Sequence, residues 1–197
     1  MDNSRQIFTE RQPKVSVCAS GRAMVALNEA EVNTPEQIAV GMTDDGEMLM
    51  EERTSKQYSY DVYWLDDVGV SGNALKAAKK AVVAEIDAYD QSEAVNGFTL
   101  NGSLVWLDKS TRVGLMNSTN IAKATGSANT TLWLGGERMV VPCDKAIQLL
   151  SALEMYALGC FNVTASHKAA VEAMTTIDEV LSYDYTKGYP ERLKMEV

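Results

Sequence analysis

The run FTLNGSLVWLD at residues 98–108, answered by TTLWLGGERMVVPCD at residues 130–144, decides how this chain folds. Each is a pair of apolar, β-prone segments meeting at a two-residue turn, Asn101-Gly102 in the first and Gly135-Gly136 in the second. Such turns hold both central residues at positive φ, which Asn-Gly and Gly-Gly adopt at least steric cost, so two β-hairpins are predicted. Each leads into a helical pattern. LNGSLVWLDK is similar to LGGERMVVPCDK with two extra residues in the second copy, either a weak internal duplication or chance. The order strand, strand, helix, twice over, predicts an α+β domain with a four-stranded antiparallel sheet carrying its helices on one face.

Outward from the first hairpin, Asp108 or Ser110 can cap a helix through Thr125, with Val113, Met116, Ile121 and Ala124 as its apolar stripe. The second hairpin should set Trp133 opposite Arg138, where the guanidinium could stack on the indole, and Leu132 opposite Met139 on the buried side. Residues 142–144 start the longest helix. Its stripe runs through Ala146, Leu150, Leu153, Ala157, Cys160, Phe161, Thr164, His167, Val171 and Met174, with Gly159 and Asn162 as places to bend or break. Thr176 and Glu179 have capping-box spacing for a short last helix to about Tyr183, and YDYTKGYPERLKMEV then trails off.

The first half reads as a polar arm at 1–14, a small β lobe at 15–66, and a linker with a connecting helix at 67–90, ahead of the α+β domain at 91–197. Val15 to Leu27, broken at Gly21, predicts a short hairpin or a bulged strand. Strand-like segments at 37–42 and 47–50 flank the turn composition Thr43-Asp44-Asp45-Gly46, and QYSYDVYWL at 57–65 is the best strand of this half. DDGE at 44–47 lacks the alternating ligand spacing of a calcium loop and reads as a charged edge. DDVGVSGN at 66–73 predicts a linker, and ALKAAKKAVVAEIDAY at 74–89 an amphipathic helix with Leu75, Ala78, Val82 and Ile86 on one face.

A net charge of −9 argues against non-specific nucleic-acid binding and against docking on anionic lipid, both of which draw on Lys and Arg, so proteins are the expected partners. No apolar run nears the roughly 20 residues of a membrane span, and the start lacks a signal peptide's apolar stretch. The expectation is a soluble chain made in a cytoplasm. Cys18, Cys143 and Cys160 form no disulfide framework and read as reduced thiols.

The search for chemistry runs through few residues. His167, the one histidine, lies on the long helix's stripe and reads as a partly buried packing residue. Cys160, seven residues away on the same helix, is about 10 Å from it by helical rise, outside hydrogen-bond reach. Cys143 near a helix N-terminus could have a lowered thiol pKa, yet no base stands near it. Zinc would need three or four convergent Cys or His ligands, and neither a P-loop nor a dinucleotide fingerprint is present. Among many carboxylates, none forms a recognisable catalytic pair. The expectation is therefore no catalytic, cofactor-binding or metal residue, no cofactor, and no enzyme.

FTLNGSLVWLDKSTRVGLM at 98–116, TTLWLGGERMVVP at 130–142 and the stretch 152–193, which closes with DYTKGYPE, together resemble a family of phage and prophage proteins that carry a C-terminal domain of unknown function. The version here is similar to that of tailed phages of gut Bacteroidales. The resemblance covers roughly residues 87–193, and the first 86 residues resemble no family. It implies an accessory structural protein of the virion, in the tail or tail-fibre region, acting through protein-protein contacts with itself and with other particle proteins. It also implies a location in the virion after synthesis in the bacterial cytoplasm. The family carries no known functional residues. A head or neck (head-fibre or connector) protein, a tail-fibre assembly chaperone and a glycan hydrolase are the alternatives. Homo-oligomerisation is expected from the connecting helix and from phage symmetry.

Overall fold

The computed structural model describes residues 2–66 and 73–196; the predicted linker falls, at 67–72, outside them. The chain is α+β and divides into two compact units, Met1–Val82 with Thr175–Ser182, and Val83–Met174 with Tyr183–Val197. The boundary between them runs inside helix α1 (Ala74–Asp90), the predicted connecting helix.

Unit 1 is built on one antiparallel sheet of four strands, β1 (Asp2–Phe8), β2 (Val15–Val17), β3 (Ala23–Met42) and β4 (Met48–Leu65), in the order β1-β4-β3-β2. Residues 2–8, expected to be part of an unpaired polar arm, are therefore a strand along 58–64 of β4. Sequence polarity misleads there because β1 sits at the sheet edge, where polar side chains are tolerated. Met24, Ala26, Tyr60 and Val62 form a buried cluster on one sheet face, with Phe8, Tyr58 and Trp64 packed against it. Ala23, Val25, Tyr63 and Leu65, on the opposite face, are buried too. The same unit holds the first part of α1, whose Ala77, Ala78 and Ala81 are buried, and the short helix α5 (Ile177–Leu181). Thr176 and Glu179 make the predicted capping box at the start of α5.

The central hairpin outgrows its neighbours. β3 and β4 run 20 and 18 residues, far beyond the short strands expected from the sequence. β2 pairs only as far as Val25 and β1 only as far as Tyr58, so residues 32–42 and 48–57 form a two-stranded ribbon with no flanking strand among the described residues. At about 3.3 Å per residue the ribbon extends roughly 35 Å. A register shift between Leu27 and Ala30, with Asn28 at φ 53°, marks its base. The predicted turn at 43–46 closes it: Thr43 N–H donates to the Glu47 carbonyl at 2.8 Å and Gly46 takes a φ of 83°.

Unit 2 contains the two predicted hairpins, β5 (Phe98–Leu100) with β6 (Ser103–Val105), and β7 (Asn129–Leu134) with β8 (Glu137–Pro142). They do not join into the expected four-stranded sheet. Among the described residues β7-β8 is a two-stranded sheet by itself, and β5 instead takes β9 (Lys194–Met195) as a parallel neighbour. The tail residues, expected to trail off, thus fill the edge on which a hairpin-to-hairpin pairing would depend, and Leu193 and Met195 carbonyls accept from Thr99 and Asn101 N–H at 2.9 Å.

Three helices join these strands: α2 (Glu93–Asn96), α3 (Lys109–Ala124) and α4 (Cys143–Ala173). Leu150 and Leu153 of α4 close over Phe98, Leu100, Leu132, Leu134 and Val141 to form the core. α4 runs unbroken through Gly159 and Asn162, and its buried residues step by threes and fours from Cys143 to Thr164 and resume two turns on at Val171. Phe161, expected on that stripe, is instead 62% exposed. α3 departs further: Val113 and Ile121 are exposed, and Arg112 and Thr119 are the buried pair. Arg112 is drawn in by Glu154 of α4, a pairing that no count of apolar residues could reveal, while Leu115 and Met116 pack on the core. Contrary to the expectation that no run is long enough, α4 is long and apolar enough to cross a membrane by length and composition. Its burial on one face alone is that of a helix packed on a core.

Candidate functional site

Two regions stand out, one in each unit. The first is a groove of about 600 Å³ in unit 2, lined from the end of α1, the segment from Trp106 to Arg112, and residues 154–161 of α4. Asp108 turns the chain from β6 into α3: its carboxylate accepts from Thr111 N–H at 2.8 Å and from the Thr111 hydroxyl at 2.6 Å. The Thr111 hydroxyl and then its backbone N–H hold the Asp108 carboxyl below its usual pKa. One helical turn on, Arg112 lies 8% exposed. Its Nε donates to Glu154 Oε1 at 2.8 Å and its Nη1 to the Leu107 carbonyl at 2.7 Å. A guanidinium can serve a carboxylate and a carbonyl at once because its donors are fixed in a plane. Trp106, Leu158 and Phe161 rim the groove and leave it apolar and open.

Three carboxylates meet this groove, Asp90, Asp108 and Glu154. Each already has a bond of its own: Asp90 accepts from the Thr164 hydroxyl at 2.6 Å, Asp108 caps α3, and Glu154 holds Arg112. What remains open is the aromatic rim, which suits stacking or apolar contact better than proton transfer.

His167 is half-buried as expected, its ring packed against those of Tyr183 and Tyr189, and a polar network holds it as well. The Lys187 carbonyl can only accept, so Nε2 of His167 carries a hydrogen and donates across 2.9 Å, while Nδ1 lies 2.7 Å from the Tyr183 hydroxyl. Thr164 gives its hydrogen to Asp90, so the Tyr189 hydroxyl donates to Thr164 at 3.0 Å. Tyr89 packs edge-on against Tyr185 and Tyr189, Tyr185 donates to Glu85 at 3.1 Å, and Lys168 pairs with Asp87. The DYTKGYPE segment is thereby fastened along α4 and the end of α1. Its role is legible only in three dimensions, since its partners lie far away in sequence.

The thiols are scattered. Cys143 and Cys160 are buried on α4 and Cys18 is exposed, all three free. The sulfhydryls of Cys143 and Cys160 donate to the Ser127 and Val95 carbonyls, each at 3.3 Å, and burial pushes the Cys160 thiol pKa up. No group of His, Cys, Asp and Glu able to hold a metal occurs among the described residues. Trp133 does face Arg138 and Leu132 does face Met139 across β7-β8, as the turn predicts.

The groove and the first part of the fastened tail fall within one family match: the model described as a domain of unknown function, DUF4376, covers residues 77–187. The chain belongs to the DUF4376 family. No curated protein and no solved structure matches it. The DUF4376 match takes in most of α1, both hairpins, α3 and α4, and ends within the fastened tail.

The second region is the ribbon of unit 1, which precedes the DUF4376 match. Val32, Thr34 and Ile38 are half-buried, and most of its other residues are exposed. Toward the turn, Val40, Met42, Met48, Leu49 and Met50 are all exposed, Met42 and Met48 at 68% and 69%. The pairs Ala39 with Met50 and Met42 with Met48 share one face, while Leu49 lies on the other, so the tip is apolar on both sides. Composition does reveal methionines near a turn at 43–46. It conceals the ribbon, because strands as short as 37–42 and 47–50 would have kept those methionines close to a core.

Proposed function

We propose that this DUF4376 chain is a virion-associated structural protein of a tailed bacteriophage, in the tail or tail-fibre region, which works by fitting its surface to other particle proteins. The observation that carries the reading is the ribbon at 32–42 and 48–57, apolar at its tip and, among the described residues, without a strand beside it. An isolated two-stranded hairpin is at best marginally stable in water, and a contiguous exposed apolar patch marks an interaction surface. The resemblance of residues 87–193 to phage and prophage proteins supplies the particle.

Mass spectrometry of purified virions is the test. A stoichiometric amount of the chain in finished particles is expected; its absence, with the chain abundant in infected cells, overturns the reading in favour of an assembly chaperone. Immunogold labelling at the head or neck would move it from the tail to the alternative position.

A glycan-handling reading is favoured by one observation, the meeting of Trp106 and Phe161 with three carboxylates in one groove. Incubating the chain with capsular glycan of the host and finding neither retention nor new reducing ends removes it.

A further inference from the structure

The ribbon tip also has a charge. From Thr43 to Arg53 it carries Asp44, Asp45, Glu47, Glu51 and Glu52 against Arg53 alone, and the Arg53 guanidinium already stands 3.9 Å from Glu51. Around its methionines the tip is therefore strongly acidic. Like charges across an interface oppose docking, so this surface is unsuited to a copy of itself. The unit 2 groove of another copy is no better suited, since it sets Asp90, Asp108 and Glu154 against Lys109, its Arg112 being committed to Glu154, and so is itself net acidic. The whole chain has a net charge of −9.

We infer that the tip, residues 42–50, is an insertion element for a different protein, entering an apolar cleft whose rim carries Lys and Arg. The inference rests on the protein-contact reading above and adds to it the surface and the chemistry of the partner. Unbranched, polarizable Met42, Met48 and Met50 fill an irregular apolar floor, and the carboxylates at either side meet the basic rim. The distance of the tip from the sheet leaves it free to enter a cleft that the rest of unit 1 cannot reach. No change within the unit's core is needed.

The test uses the full chain expressed at its native level in the cells that make it, with p-benzoylphenylalanine replacing Met48, or Gln6 as a control far from the tip. After irradiation, the cross-linked peptide is sequenced. The expected result is one dominant partner, not this chain, joined through a segment with apolar residues flanked by two or more Lys or Arg. Met42→Ser with Met50→Ser, and separately Glu51→Lys with Glu52→Lys, should each lower the yield about tenfold, with thermal unfolding unchanged because both sets are exposed. The second pair leaves the methionines intact, so loss there isolates the charge. A cross-link to a second copy, one to an acidic segment, or a yield no greater than from position 6 overturns the inference. The virion reading is judged separately: its failure shows in purified particles, whereas failure here shows in the identity of the cross-linked peptide.

Discussion

Gly135 stands directly against Val105: a Cβ on the glycine would lie 2.9 Å from Val105 Cγ2. The turn of the second hairpin is thus pressed on the last residue of the first, where two hairpins that share no backbone ladder among the described residues meet in one core. Gly135 also has φ 60°, so Gly135→Ala meets both a strained backbone and a clash in the core. It should cost about 2–3 kcal/mol in urea denaturation. Gly136, at φ 84° with open space around it, provides the contrast: Gly136→Asn should cost only a few tenths of a kcal/mol because asparagine tolerates that conformation. Equal losses at the two sites would show that the turn conformation alone matters.

Arg112 should be among the costliest polar residues to remove. Arg112→Ala leaves Glu154 and the Leu107 carbonyl without their donor, at about 3 kcal/mol, which lowers the melting temperature by roughly 6–12 °C. Arg112→Lys should recover little, because a point charge cannot span both acceptors. Full recovery by lysine would mean that charge alone is what the site requires.

Thr119 offers a gain. It is fully buried on α3, and its hydroxyl has no hydrogen-bond partner among the described residues. Thr119→Val keeps the shape and removes the desolvated oxygen, so the melting temperature should rise by about 2–4 °C, the equivalent of ~1 kcal/mol. Thr119→Ala should fall short of it, since the smaller side chain leaves a void. A loss with valine would imply that the hydroxyl is hydrogen-bonded in solution.

Acid should destabilise the fold in a defined window. Lys187 first, then the Thr186 hydroxyl, hold the Asp184 carboxyl far below its ordinary 3.8. Thr176 first, then the Thr175 N–H, lower Glu179 from 4.5, and Asp108 is lowered in its cap. A carboxylate whose folded pKa is depressed contributes stability above its unfolded pKa and loses it as pH falls through the folded one. Urea midpoints should therefore hold down to about pH 5 and fall steadily from there toward pH 2. Asp184→Asn should flatten that limb and lower the midpoint at pH 6. A midpoint independent of pH across the window would remove these carboxylates from the account.

Much of the second half of the chain was legible locally. Asn101-Gly102 and Gly135-Gly136 dictate their hairpins through positive φ, Asp108 and Thr176 announce their helices through the backbone N–H groups they accept from, and the three-and-four spacing from Ala146 to Val171 marks the buried face of α4. These readings succeed because each depends on residues within a turn or two of one another. The buried face of α3 was misread for the opposite reason: Arg112 is buried by a glutamate 42 positions away.

What the chain determined by itself is its set of local elements, its charge and the poverty of its candidate reactive groups, all properties of neighbouring residues or of simple totals. Tertiary structure alone decided that residues 194–195 take the free edge of β5, that His167 fastens the tail through Tyr183 and Lys187, and that β3 and β4 outrun their neighbours to expose a methionine tip. The reason is physical. A strand edge, a ring nitrogen or an apolar side chain finds its partner through space, and no spacing along the chain records where that partner will stand.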